Sequence, residues 1–122
     1  MVLVDTSVWV DHFRGRVLPL EGRLERGDVL THPFIIGELA CGQLANRHEI
    51  LGLLQELPQA ESAADDEVLL LIERHLLMGC GLGYVDVHLL ASALLSSCWI
   101  WTRDAALVKA ANRLGLAYPE PR

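Results

Sequence analysis

The sequence predicts an α/β fold, with a short parallel sheet of four or five strands flanked by helices in three layers. Three observations point there. Short apolar runs alternate with longer stretches of helical periodicity along the whole chain, the order expected of β-α units. The runs are continuous rather than alternating, as in Val2-Leu3-Val4 and Cys98-Trp99-Ile100-Trp101, which suits strands covered on both faces. Acidic residues stand at or just beyond the ends of those runs, where open α/β sheets form their sites.

Val2 to Val4 reads as the first strand. Ser7 to Arg14 follows with helical spacing, and Gly15 closes it. Leu18 to Arg26 reads as a second short helix ended by Gly27, and Val29 to Thr31 as a second strand. Pro33 suits the first turn of a helix running to about Leu44. Asn46 and Glu49 resemble a capping box, after which Ile50, Leu53, Leu54 and Leu57 keep helical spacing until Pro58. An edge strand is expected near Ala60 to Ser62. Asp65, Asp66 and Glu67 favour a helix N-terminus, with Val68, Leu71, Ile72 and Leu76 as the buried stripe. Gly79, Gly81 and Gly83 mark a loop. Asp86 opens a helix carrying Leu89, Leu90, Ala93 and Leu94. Cys98 to Trp101 is the next strand, Ala105 to Leu114 a helix ended by Gly115, and Leu116 to Tyr118 a last strand.

No repeat or linker interrupts the 122 residues, so residues 1–122 read as a single domain. Hydrophobic residues make up 52%, enough for a core and too many for disorder. Sixteen acids against ten bases give a formal charge of −6, a poor footprint for a non-specific DNA binder. A nucleic-acid enzyme stays open, because metal ions supply local positive charge. Arg14, Arg16, Arg47, Arg103, Lys109 and Arg113 read first as solvated surface residues and second as a basic patch. Cys41, Cys80 and Cys98 are widely spaced and read as buried thiols. No signal-peptide pattern is visible at the start. The longest stretch free of Asp, Glu, Lys and Arg runs from Val87 to Thr102, sixteen residues, short of a bilayer span. A soluble cytoplasmic protein is expected.

Four acids stand isolated in apolar settings. Asp5 ends the first strand, Glu38 is the one charge between Pro33 and Ala45, Asp86 the one charge between Leu76 and Thr102, and Asp104 follows the third strand. An unpaired carboxylate is costly to bury, and only Arg103 lies beside any of the four. A shared divalent cation answers the same need, and oxygen-only donors select Mg²⁺ or Mn²⁺. Asp5, Asp86 and Asp104 each precede a helix and read equally well as N-caps. Glu38 does not: its neighbours Phe34, Cys41, Gly42 and Ala45 make an apolar stripe with one charge in it. Thr6, Ser7 and Thr102 read as capping hydroxyls that are also placed to orient carboxylates.

The residues Asp5-Thr6-Ser7-Val8-Trp9, Gly37-Glu38-Leu39-Ala40-Cys41-Gly42, Asp86-Val87-His88-Leu89-Leu90-Ala91-Ser92-Ala93 and Trp101-Thr102-Arg103-Asp104 resemble, in order and spread, a PIN-domain ribonuclease of the VapC toxin type. The resemblance implies a PIN-like three-layer α/β/α fold and endonucleolytic cleavage of RNA. It implies Mg²⁺ or Mn²⁺ held by Asp5, Asp86, Asp104 and Glu38, the last directly or through water. It also implies a homodimer and a cognate VapB-type antitoxin.

Other readings are weaker. A phosphorelay receiver needs a Lys at the end of its last inner strand, and the one Lys, Lys109, lies within a helix. A catalytically silent RNA- or protein-binding module would keep the fold without the chemistry. Gly79 to Gly83 follows a helix and lacks dinucleotide spacing, so it reads as a turn. Ser7 or Ser92 with His88 lacks a nucleophile elbow, and His88 reads as a packed or rim histidine. Trp9, Trp99 and Trp101 read as core.

Overall fold

The computed structural model describes residues 1–16 and 19–120. Its centre is β1 (Val2–Val4), three residues buried on both faces. β2 (Val29–Leu30) and β3 (Trp99–Trp101) pair with β1 in parallel from opposite sides, in the order β2-β1-β3. Val2 and Leu3 face Val29 and Leu30, while Val2, Leu3 and Val4 face Trp99, Ile100 and Trp101.

Among the described residues the sheet therefore has three strands, not four or five. The two other expected strands are reduced to single parallel bridges, Gln59 beside Thr31 and Ala117 beside Ile100. Ala60 N–H donates to the Thr31 carbonyl at 2.9 Å, and Tyr118 N–H to the Ile100 carbonyl at 3.0 Å. Each segment abuts a proline, Pro58 or Pro119, which has no N–H for the ladder and limits pairing at an edge.

Seven helices flank the sheet among the described residues: α1 (Thr6–Phe13), α2 (Leu20–Glu25), α3 (Pro33–Cys41), α4 (Arg47–Glu56), α5 (Asp65–His75), α6 (Tyr84–Leu95) and α7 (Ala105–Arg113). The first residue of the expected second helix, Leu18, lies outside the described residues. α1 packs on α3 and α3 on α4, while α5 packs on α6 and α6 on β3. Val8, Leu89, Leu90, Ile100 and Leu107 close the core around β1, almost wholly shielded from water.

Several boundaries differ from expectation for identifiable reasons. α3 stops at Cys41 rather than near Leu44, because Gly42 is extended and Arg47 folds back to donate to the Gly42 carbonyl at 3.1 Å and to the Ala40 carbonyl. Asn46 takes a left-handed conformation with φ +52° and makes no side-chain cap, so the capping box is absent. α5 begins instead with Glu67 Oε1 accepting the Ala64 N–H at 2.9 Å. Leu76 does not join its stripe: at φ +52° it turns the chain outward and Leu77 enters the core.

Cys98 is buried, but Cys41 and Cys80 are exposed thiols. Cys41 falls at the frayed end of α3 and Cys80 in the glycine loop, where neither packs inward. Trp9 and Trp101 belong to the core, whereas Trp99 lies at the sheet edge and is partly exposed. Among the described residues, no helix is long and apolar enough to cross a membrane.

Candidate active site

The chain leaves β1 for β2 on one side and returns to β3 on the other. The switch in strand order lies between β1 and β3, and the carboxyl ends of both open onto it. Asp5 directly follows β1, and its N–H continues the ladder to the Trp101 carbonyl at 2.9 Å. It stands at the N-cap position of α1, yet its side chain makes no cap bond. The carboxylate turns instead into the crevice, 7% exposed, where Oδ2 accepts the Ser7 hydroxyl at 2.8 Å and the Thr102 hydroxyl at 2.7 Å.

These hydroxyls are links in a network rather than simple caps. Ser7 Oγ accepts the Arg103 N–H at 2.9 Å, and Thr102 Oγ1 accepts the Asp104 N–H at 3.0 Å. The two oxygens lie 3.3 Å apart. One buried carboxylate is thus held by both strand ends, and Oδ1 accepts no hydrogen bond among the described residues.

Asp104 caps α7 as expected, with Oδ1 accepting the Ala106 N–H at 3.2 Å. Asp86 does not open its helix. α6 starts two residues earlier at Tyr84, and Asp86 reaches back from the first turn to accept the Gly83 N–H on Oδ2 at 2.9 Å. Burial pushes the Asp86 carboxyl above its usual range, the Gly83 N–H pulls it back, and the charges of Asp104 and Asp5 raise it further. Those last two influences place the three carboxylates in one electrostatic neighbourhood.

Glu38 departs most from its expected setting. Its stripe is open: Glu38, Phe34, Cys41 and Gly42 are exposed. The stripe borders a cleft of about 600 Å³ that Thr6, Arg14, Glu38 and Leu44 help to line. The cost of burial therefore applies to Asp5 and in part to Asp86, not to Glu38 or Asp104. Glu38 is nonetheless tied to the site, because the Thr6 hydroxyl donates to its Oε1 at 2.8 Å. Thr6 and Ser7, adjacent at the start of α1, thus hold different carboxylates.

The arrangement is an open bowl of acids, not a finished cage. Among the described residues, no three Asp, Glu, His or Cys side chains close on one position fit for a metal ion. The donor set itself suits a hard divalent cation: Asp5, Asp86 and Asp104 each commit one oxygen to a protein donor and leave the other free. Like charges held near one another in this way favour a cation between them.

Four of the six basic residues singled out in the sequence are tied up in local contacts. Arg103 is engaged with Glu120 at 2.8 Å and Asp11 at 3.7 Å, and Arg16 with Asp11 at 3.6 Å. Arg113 donates to the His75 carbonyl at 2.7 Å and Arg47 closes α3; Arg14 stands on the cleft wall, and Lys109 makes no ion pair among the described residues.

Sequence reasoning missed a second cluster beside the acids. His88 is buried, with Nε2 3.2 Å from Asp65 Oδ1, and the Tyr84 hydroxyl donates to the same oxygen at 2.8 Å. These two bonds hold the Asp65 carboxyl below its usual range, and the Tyr84 bond raises the phenol. The i, i+4 spacing of Tyr84 and His88 was a usable signal; Asp65, read only as a helix-start charge, hid its partner.

A three-stranded parallel core with helices around it and an acidic crevice at the switch point is the plan of a PIN domain. The PIN domain family model matches residues 2–113, and the chain belongs to that family. It is 44% identical over 124 residues to Ribonuclease VapC32 of Mycobacterium tuberculosis, in both the CDC 1551 / Oshkosh and ATCC 25618 / H37Rv strains, with 98% of each chain covered. That likeness sets it among the VapC-type PIN ribonucleases. The crystal structure of PAE2754 from Pyrobaculum aerophilum has the same fold, with a TM-score of 0.59 at 18% identity, over 93% of this chain and 88% of that one.

Proposed function

We propose that Asp5, Glu38, Asp86 and Asp104 are the catalytic and metal-binding residues of an endoribonuclease toxin. Its cofactor is Mg²⁺ or Mn²⁺, its substrate is RNA, and its partner is a VapB-type antitoxin. The observation that carries this reading is the Asp5 carboxylate. It is buried at the switch point and fixed by two hydroxyls, and its charge, like that of Asp104, acts on Asp86.

Asp5 presents one oxygen in a fixed direction, because Ser7 and Thr102 hold the other. Asp86, restrained by the Gly83 N–H, supplies the second ligand, and Asp104 the third from the first turn of α7. Glu38, aimed by Thr6, binds from the α3 side, directly or through water. A hard divalent cation held there lowers the pKa of attacking water and neutralises charge on the phosphate oxygens. The protein works in the cytoplasm as a homodimer, an assignment that rests on the family likeness. The Arg14 side of the cleft stays open to an RNA backbone.

The purified protein should cut single-stranded RNA with Mg²⁺ or Mn²⁺ and stop with EDTA. Asp5→Asn should lose cleavage while keeping its fold by circular dichroism. Activity indifferent to EDTA, or intact in Asp5→Asn, overturns the proposal. The alternative is a catalytically silent RNA- or protein-binding module, which would keep the fold without the chemistry. Tight RNA binding with no cleavage under any divalent ion would establish that reading.

A further inference from the structure

Two large aromatic side chains stand in solvent beside the carboxylates. Phe34 is 40% exposed and Tyr84 47% exposed. Neither is loose. Both pack against the buried ring of His88, Phe34 with centroids 5.0 Å apart and Tyr84 with centroids 4.7 Å apart, at interplanar angles of 75° and 89°. Tyr84 is fixed at its far end by the 2.8 Å bond to Asp65. Phe34 is fixed at its near end, where its N–H donates to His32 Nδ1 at 3.0 Å and its ring lies 5.0 Å from that imidazole. Residues from α3, α5 and α6 thus combine to hold two rings rigid while leaving much of their surface open.

Their placement follows from the helices. Phe34 lies four residues before Glu38, so the two share one face of α3 with Cβ atoms about 5–6 Å apart. Tyr84 shares a face of α6 with His88, four residues on, and its phenol reaches Asp65. The rings therefore border the acidic site from the Glu38 side, where both meet His88. A phosphate would be repelled there, since Asp65 is a solvent-facing carboxylate. A neutral, flat group is not.

We propose that Phe34 and Tyr84 form a stacking platform for an unpaired nucleobase of the RNA, next to the phosphodiester that is cut. The inference rests on the ribonuclease reading above. Every base has a π face, and a rigid ring loses little freedom in receiving one. The platform selects single-stranded over duplex RNA, because paired bases are already stacked within the helix.

The test uses a single-stranded RNA with one cleavage position, and copies of it made abasic at each flanking nucleotide in turn. Phe34→Leu and Tyr84→Leu should each raise KM on the intact RNA about 5- to 50-fold, with far less effect on kcat. Tyr84→Phe, which keeps the ring and its packing on His88 but loses the bond to Asp65, should fall between the natural protein and Tyr84→Leu. On the RNA lacking the stacked base, the natural protein and both Leu variants should share one KM. A 2-aminopurine at that nucleotide should lose fluorescence on binding to Asp5→Asn protein, and keep it when Phe34→Leu and Tyr84→Leu are added.

Equal KM losses on intact and abasic RNA would mean that the rings act through the fold, and would overturn the platform. So would Leu variants that change oligomeric state by light scattering while their KM on single strands stays put; the face would then belong to a second copy of the chain. If the natural protein cleaves RNA and the Leu variants match it, only this inference fails. If the natural protein cleaves no RNA, the ribonuclease reading fails first.

Discussion

The hydroxyl of Thr102 donates to Oδ2 of Asp5 at 2.7 Å, a buried bond between residues 97 positions apart. It joins the end of β3 to the end of β1 at the switch point. Thr102 Oγ1 also accepts the Asp104 N–H at 3.0 Å, so one hydroxyl orients one carboxylate and anchors the backbone of another. The site is therefore part of the sheet's own closure.

Thr102→Val keeps the shape and removes both bonds. Groups that orient metal ligands are worth about 10- to 100-fold in activity or affinity when lost. Unmade buried hydrogen bonds cost about 1–3 kcal/mol. Thr102→Val should fall by those amounts in RNA cleavage and in denaturant midpoint, and Thr102→Ser should recover most of both. A Val variant with full activity would show that Asp5 needs no such support.

Glu38 and Thr6 separate charge from placement. Glu38→Gln keeps an acceptor for the Thr6 hydroxyl and loses the charge; Thr6→Val keeps the charge and loses the tether. Cleavage should fall at least tenfold in Glu38→Gln, one factor of ten being about 1.4 kcal/mol of transition-state stabilisation. It should fall less in Thr6→Val and hardly at all in Thr6→Ser. Since Glu38 is exposed, thermal stability should barely move in any of the three.

Much of this was legible in the chain. Val2 to Val4 and Trp99 to Trp101 announced a parallel core through continuous apolar runs, and the acids at their ends announced the crevice. What the sequence hid was long-range. Nothing local says that Ser7 and Thr102 share Asp5, because the bond depends on β1 and β3 becoming neighbours. Glu38 drew notice for apolar surroundings that prove to be an open cleft, since periodicity reports a stripe and not what covers it. The edge strands expected near Ala60 to Ser62 and at Leu116 to Tyr118 shrink to single bridges, because Pro58 and Pro119 bring no N–H to a ladder.

The core that supports the site should be as sensitive as its depth implies. Leu89, on α6 three residues after Asp86, is wholly buried. Leu89→Ala should cost about 2–5 kcal/mol in chemical denaturation, through lost burial and the cavity left behind. Domains are stable by only about 5–15 kcal/mol, so activity at elevated temperature should go with it. A loss below 1 kcal/mol would mean that α6 collapses into the gap.

Asp86 carries the pH dependence. Burial, with smaller help from Asp104 and Asp5, raises its carboxyl above the ordinary 3.8. A raised acid binds its proton more tightly folded than unfolded. Below the ordinary value both states are protonated and nothing is lost; as pH climbs through the raised value the folded state must carry a charge it disfavours. The penalty builds between the ordinary and the raised value and is complete above the latter. Asp86→Asn stays neutral throughout and can still accept the Gly83 N–H, so without added divalent ion it should melt above the natural protein at pH 7. That advantage should shrink as pH falls towards 4. Added Mn²⁺ should reverse the order, raising the melting point of the natural protein by mass action and that of the variant far less, while the variant cleaves no RNA. A variant that melts lower than the natural protein at pH 7 without metal would show that the ionised carboxylate is already satisfied by the protein alone, and the case for a cation at this position would be lost.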